Sequence, residues 1–225
     1  FGMRELYIWA RPEAVAADEI LQNKQFYLNV PFFLVRAVIY FVVWVGLALV
    51  AGALTRRLDE GVDEALARRF RVIGALGLVL YGLTVTFASI DWVMSLTPHW
   101  FSTIFGPVTG VGQMLSGLAV TLILASWLRR HRPLSSVLQA AQSNDLGNLM
   151  LTFVMLWAYL AFSQYLITWT GNLPEERPWY LNRTRGGWQW VGLILVVFQF
   201  AVPFGVLLSR TAKRSARVLS RVAVA

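Results

Sequence analysis

The sequence predicts an all-α, polytopic integral membrane helix bundle with about five transmembrane helices, and three observations carry that prediction. Of the 225 residues, 57% are hydrophobic and only 14% are charged, a mix foreign to water-soluble globular domains. Five apolar stretches are each long enough to cross roughly 30 Å of hydrocarbon as a helix rising about 1.5 Å per residue. No period-two alternation of the barrel kind accompanies them.

The elements follow in chain order. Residues 1–30 read as an outer, periplasmic interfacial segment, in which Pro12-Glu13 is placed to open a helix running towards Lys24. The five spans of the 31–208 bundle are expected at Pro31–Leu54, Val72–Ile90, Val108–Leu128, Leu149–Trp169 and Trp190–Leu208. Between the first two, residues 59–71 read as a short charged helix with Glu64 and Arg68 at the i, i+4 spacing. Asn144 or Asp145 is placed to cap the fourth span, and Pro203 should kink the fifth. Small residues recur inside the spans (Gly46, Gly52; Gly74, Gly77, Gly82; Gly110, Gly112, Gly117), which predicts a tight bundle. Residues 209–225 form a basic tail. The opening Phe1-Gly-Met-Arg4, with neither an initiator Met nor a signal pattern, reads as part of a longer protein.

Charge sets an orientation. The 55–71 loop (Arg56, Arg57, Arg68, Arg69, Arg71), the 129–148 loop (Arg129, Arg130, Arg132) and the tail (Arg210, Lys213, Arg214, Arg217, Arg221) place thirteen cations on one face. Five acids on that face, Asp59, Glu60, Asp63, Glu64 and Asp145, leave it at +8, and the opposite face is neutral. The cation-rich side is the cytoplasmic one by the positive-inside bias, so Phe1 is expected outside and the C-terminus in the cytoplasm. The whole +8 excess then implies contact with anionic membrane lipid and no nucleic-acid partner.

Cysteine is absent, so disulfides, thiol catalysis and iron–sulfur ligation by this chain are excluded. The two histidines, His99 in an outer loop and His131 in a cytoplasmic one, are separated by the bilayer, which disfavours a haem held between them. No metal or covalently held cofactor is expected. Seven of the ten tryptophans (Trp9, Trp92, Trp100, Trp169, Trp179, Trp188, Trp190) lie on the outer face. Interfacial anchoring is one reading of that bias, and an ordered aromatic cap over a partner or ligand site is the other.

Polar side chains gather at the same edge. Asp91 closes the second span on one arc with Tyr81 and Thr84, and a carboxylate at the hydrocarbon edge is costly unless paired or hydrated. Arg36, a turn and a half into the first span, is a structural ion-pair candidate for it, with snorkelling to the interface as the alternative. Trp157, Gln164 and Thr168 form a stripe on the fourth span beside Tyr165, and Glu175, Glu176 and Arg177 follow in the next outer loop. The proton-transfer or quinone-site candidates are therefore Asp91, His99, Gln164, Tyr165, Glu175, Glu176 and Arg177.

The run Ser89-Ile-Asp-Trp-Val-Met-Ser-Leu-Thr-Pro-His-Trp-Phe-Ser-Thr-Ile-Phe-Gly106 closely resembles a signature of the F-type membrane subunit of alternative complex III, a bacterial quinol:electron-acceptor oxidoreductase. Three further stretches resemble the same family: Lys24-Gln-Phe-Tyr-Leu-Asn-Val-Pro-Phe-Phe33, Phe162-Ser-Gln-Tyr-Leu-Ile-Thr-Trp-Thr-Gly-Asn-Leu-Pro-Glu-Glu176, and Trp179-Tyr with Arg185-Gly-Gly-Trp188. The resemblance implies a multi-pass subunit of the bacterial inner membrane, related to the polysulfide-reductase membrane anchors, whose full-length chain has about twice as many helices. It implies partners as well: a homologous quinol-binding membrane subunit, a periplasmic iron–sulfur subunit and c-type haem subunits. Quinol or menaquinol is the ligand class implied, with the sister subunit the better-supported quinol site. The expected role is respiratory electron transport through assembly and possible proton transfer, without catalysis by this chain alone. A transporter or channel subunit is the competing class, for which a polar path should cross the bilayer.

Overall fold

The computed structural model describes residues 2–61, 64–128, 139–174 and 176–224. Glu175, Asp63, His131 and the 129–132 arginines, all singled out above, lie outside them. Among the described residues there is no strand, and five helices are long and apolar enough to cross a membrane: Val30–Asp59, Glu64–Leu96, Phe105–Leu128, Ala140–Gly171 and Trp188–Leu208. The protein is all-α and multi-pass. It forms two compact units, Phe1–Thr109 and Gly110–Ala225.

The first unit begins with three short helices, α1 (Met3–Leu6), α2 (Pro12–Ala16) and α3 (Glu19–Lys24). One continuous helix from Pro12 to Lys24 was expected, but the chain breaks at Ala17-Asp18. There the Asp18 carboxylate accepts from the backbone N–H of Ile20 and Leu21, capping a new helix more favourably than it would sit inside one. Next comes α4 (Val30–Glu60), opened by the Asn29 side chain, which accepts from the Phe32 N–H at 2.9 Å, with Pro31 in the first turn. Its antiparallel partner is α5 (Glu64–Trp92). Residues 64–71 were expected in a separate helix and are instead the first two turns of α5, since Glu64-Ala-Leu-Ala-Arg-Arg contains only strong helix formers and nothing that would end a helix.

The two long helices meet along a stripe spaced i, i+4, i+8 on α4. Arg36 reaches Asp91, Tyr40 reaches the same carboxylate, and Trp44 Nε1 donates to Thr84 Oγ1 at 2.9 Å. Further along the pair, a Cβ added to Gly77 would stand 3.1 Å from Leu47. The other small positions of these two spans, Gly46, Gly52, Gly74 and Gly82, have nothing within 4 Å of such a Cβ. Between these two helices the expected tight glycine packing is thus confined to Gly77; polar and aromatic side chains do most of the joining. The end of α5 leads through a short 3-10 turn (Met94–Leu96) to α6 (Phe105–Leu128), whose Gly106 lies against the Thr86 backbone.

In the second unit the fourth span is α7 (Ala140–Gly171). It starts more than a turn before the expected caps: Gln139 holds the N-cap position, and Ala140-Ala141-Gln142 are strong helix formers that carry the helix past Asn144 and Asp145. Asn172 ends it in the left-handed conformation, φ 47°, with its N–H on the Thr168 carbonyl. A one-turn helix α8 (Arg177–Leu181) follows, and Gly186 and Gly187, at φ 62° and 95°, turn the chain into the last span.

That span is α9 (Trp188–Ile194), a π-helical stretch Leu195–Ala201, and α10 (Val202–Leu208). Pro203 was expected to kink it. The observed response is the π stretch before the proline, where wider turns relieve the clash of the ring with the Gln199 carbonyl, to which Pro203 has no N–H to donate. The chain closes with α11 (Arg210–Lys213) and α12 (Ala216–Val224). Leu219 and Val222 of α12 join Leu115, Leu122, Met150, Val154 and Leu207 in this unit's core.

Candidate functional site

Asp91 is the most completely buried acid of the first unit, at 0% exposure, and Arg36 beside it is only 7% exposed. The Arg36 Nε and Nη2 atoms donate to the two carboxylate oxygens at 2.8 and 3.0 Å, a bidentate fork. Tyr40 donates a third bond, 2.7 Å, to Asp91 Oδ2. The remaining guanidinium nitrogen donates to the Tyr27 carbonyl at 3.0 Å, and the Tyr27 and Phe32 rings cover the ion at 3.9 and 4.2 Å from its central carbon. Of the two fates open to Arg36, pairing is the one observed, and Ser95 extends the cluster by donating to the Asp91 backbone carbonyl.

The cluster lies beneath an ordered cap. Tyr7, Trp9, Leu21, Leu28 and Phe33 form a hydrophobic core against which Tyr27, Val30 and Trp92 pack. Tyr7 donates to the Trp92 carbonyl at 3.0 Å, so residues 2–29 are tied to the end of α5. Burial raises the Tyr7 phenol, and the Asp91 charge adds to the rise. Burial and the same carboxylate push Tyr27 up to about 12. Both phenols are therefore held protonated, which suits packing better than proton exchange.

His99 has separate partners. Its Nε2 lies 2.6 Å from Asp18 Oδ2, on the cap of α3, while Lys24 of α3 donates to the Pro98 carbonyl and lies 5.9 Å from the Phe101 ring. These contacts latch the 93–104 loop to the N-terminal segment. Although burial opposes it, the His99 bond and the Leu21 and Ile20 amides hold the Asp18 carboxyl below its ordinary value. A depressed acid stabilises the folded state above its unfolded pKa, about 3.9, and that contribution disappears as pH falls through the folded value. Amide-exchange protection of residues 93–104 is accordingly expected to fall in that acid range. Asp18→Asn is expected to lower the protection already at pH 7 and to remove this acid step, which exchange measured from pH 7 to 3 checks.

The other candidates belong to the second unit. Gln164 donates to Thr168 Oγ1 at 3.2 Å, a bond within its own helix. The Tyr165 ring meets Tyr180 edge-on at 5.3 Å, and burial pushes the Tyr180 phenol up to about 12. Glu176 is half-buried before α8 and Arg177 is exposed in its first turn, with no ion pair between them. Alongside α7, Trp157, Tyr159, Phe162, Tyr165, Phe200 and Phe204 line an apolar groove of about 620 Å³, bordered by the π-helical stretch.

The tryptophans divide between the two readings of their bias. Trp9 and Trp100 are each 4% exposed, Trp9 in the cap and Trp100 against the Phe105 ring, whereas Trp169, Trp188 and Trp190 are more than half exposed, as interfacial anchors are. Tyr40, Tyr27, Tyr7 and Asp18 were not singled out from sequence. The Arg36, Tyr40, Trp44 spacing was the available signal for the first of these; nothing local marks the others. The sequence matches no protein-family model and no curated protein.

Proposed function

We propose that this chain is an integral membrane subunit of a respiratory quinol:electron-acceptor oxidoreductase of the alternative complex III kind. Its main work is to hold a rigid docking cap on the periplasmic side for the iron–sulfur and c-type haem subunits. The observation that carries this reading is how the signature residues are used. In the Ser89–Gly106 run, Asp91 is bound by Arg36 and Tyr40, His99 meets Asp18, and Pro98 accepts from Lys24, the first residue of the second resembling stretch. Two resembling stretches far apart in sequence thus build one object, as a shared structural purpose requires.

The same geometry favours assembly over proton transfer at Asp91. The Asp91 carboxylate accepts three bonds from Arg36 and Tyr40 and has no solvent contact, whereas a relay group must reach a water or a second proton carrier. A narrower second reading, contact with a quinol tail, is supported by the 620 Å³ groove, whose apolar lining suits an isoprenoid chain.

The test is purification of the tagged chain from its native membrane in mild detergent. We expect it to co-migrate with proteins that give a c-type haem difference spectrum reducible by quinol. Migration without haem or iron–sulfur proteins would overturn the proposal and favour the transporter class.

A further inference from the structure

We propose that the four exposed arginines after the last span, Arg210, Arg214, Arg217 and Arg221, form a docking strip for the phosphate headgroups of an anionic phospholipid surface. Their position is the first reason. The last membrane-spanning helix ends at Leu208, so α11 and α12 begin where hydrocarbon gives way to headgroups. The second is how α12 is fastened. Ala216, Leu219 and Val222 fall within an arc of about 120° at 100° per residue, and Arg217 and Arg221 lie on the opposite side. Leu219 is 1% exposed, packed in the core with Leu115, Leu122, Met150 and Val154 of membrane-spanning helices.

An isolated amphipathic helix would spend that apolar side on lipid tails. Here the protein's own spans occupy it, so α12 is held against the bundle and its basic side is left for the surface around it. No acid occurs between residues 209 and 224, and none of the four arginines has an acid at ion-pair distance among the described residues. The residue types agree. Lys213, the only lysine of the segment, is half-buried, its Cγ 2.8 Å from where a Cβ on Gly147 would stand, while the exposed cations are all arginines, whose planar fork matches phosphate oxygens in pairs. An acidic protein surface would also attract cations, but a strip that starts two residues past a membrane-spanning helix and is fastened to the spans meets lipid headgroups first. The strip is independent of the respiratory assignment.

The test uses the whole chain, purified in mild detergent, stripped of lipid and titrated with phosphatidylglycerol in phosphatidylcholine mixed micelles, with bound lipid counted by native mass spectrometry. Replacing all four arginines by Gln is expected to weaken phosphatidylglycerol binding about tenfold or more, since each cation near an anionic surface contributes measurably. Replacing them by Lys should retain most of it. Arg56→Gln/Arg57→Gln/Arg68→Gln/Arg69→Gln removes the same charge elsewhere and should have the smaller effect. If the quadruple variant loses helix content by circular dichroism, Arg210→Gln/Arg214→Gln and Arg217→Gln/Arg221→Gln are measured separately, each with a loss of about threefold expected. Unchanged binding, an equal loss in the control, displacement of the lipid by millimolar inorganic phosphate, or preference for soluble polyglutamate over phosphatidylglycerol would each overturn the proposal.

Discussion

Asp91→Asn is expected to destabilise the first unit by about 3–5 kcal/mol, the usual cost of breaking a buried ion pair from one side. The cost arises from what remains. Arg36 stays charged and 7% exposed, enclosed by the Tyr27 and Phe32 rings, with a neutral amide in place of the carboxylate that took two of its bonds. Leaving a cation unbalanced in such a place costs more than the pair's net worth. Because Arg36 also donates to the Tyr27 carbonyl and Tyr7 bonds the Trp92 carbonyl, the effect should spread into the cap. Thermal unfolding of the purified chain should show the loss, and hydrogen exchange should place it in residues 2–29. Arg36→Gln should behave alike, with Asp91 the stranded charge. If each single variant cost under about 1 kcal/mol, the pair would count as an exposed salt bridge and the locking role would fall.

Gly106→Val is expected to cost about 1–3 kcal/mol or more, the usual penalty for forcing extra atoms into a packed contact. A Cβ there would overlap the Thr86 side chain and stand 3.0 Å from the Thr86 Cα. The side chain can be removed but the backbone cannot, so residues 105–109 would have to move away from α5. Thr86→Ala, itself mild, is expected to recover part of the loss and not all of it, and a double-mutant cycle on unfolding midpoints measures that share. Val in place of Gly46, which has open space around it, serves as the control and should change the midpoint far less.

How much could be read in advance follows the range of the physics. The five spans were legible because hydropathy over some twenty residues is a local sum, and the structure returns all five. Their ends were less so: Gln139 rather than Asn144 or Asp145 holds the N-cap of α7, and α5 absorbs residues 64–71, since helix limits turn on small propensity differences. Asp91 stood out as an expensive residue in an apolar setting, but Arg36 had two open fates until α4 was seen to pack against α5. Tyr40 was within reach of reasoning, one turn beyond Arg36 on the same face. The Asp18 and His99 contact was not, because 81 residues separate the two and only the fold of the cap joins them. The aromatic bias on one face was visible as a whole, yet which tryptophans pack and which anchor depends on tertiary burial.

The most direct test of the lock is to remove at once the three side chains that meet at the Asp91 carboxylate. Arg36→Met/Tyr40→Phe/Asp91→Leu leaves no stranded charge or hydroxyl, and replacing a buried ion pair by apolar groups of similar volume is often neutral. In the respiratory complex proposed above, quinol turnover and protons released per quinol should be measured for this triple variant. If the cluster is a structural lock, the variant assembles with a melting point close to that of the wild type, and turnover and proton release are unchanged. A variant that assembles and melts normally but has lost turnover or proton release would contradict the account and return Asp91 to the proton path.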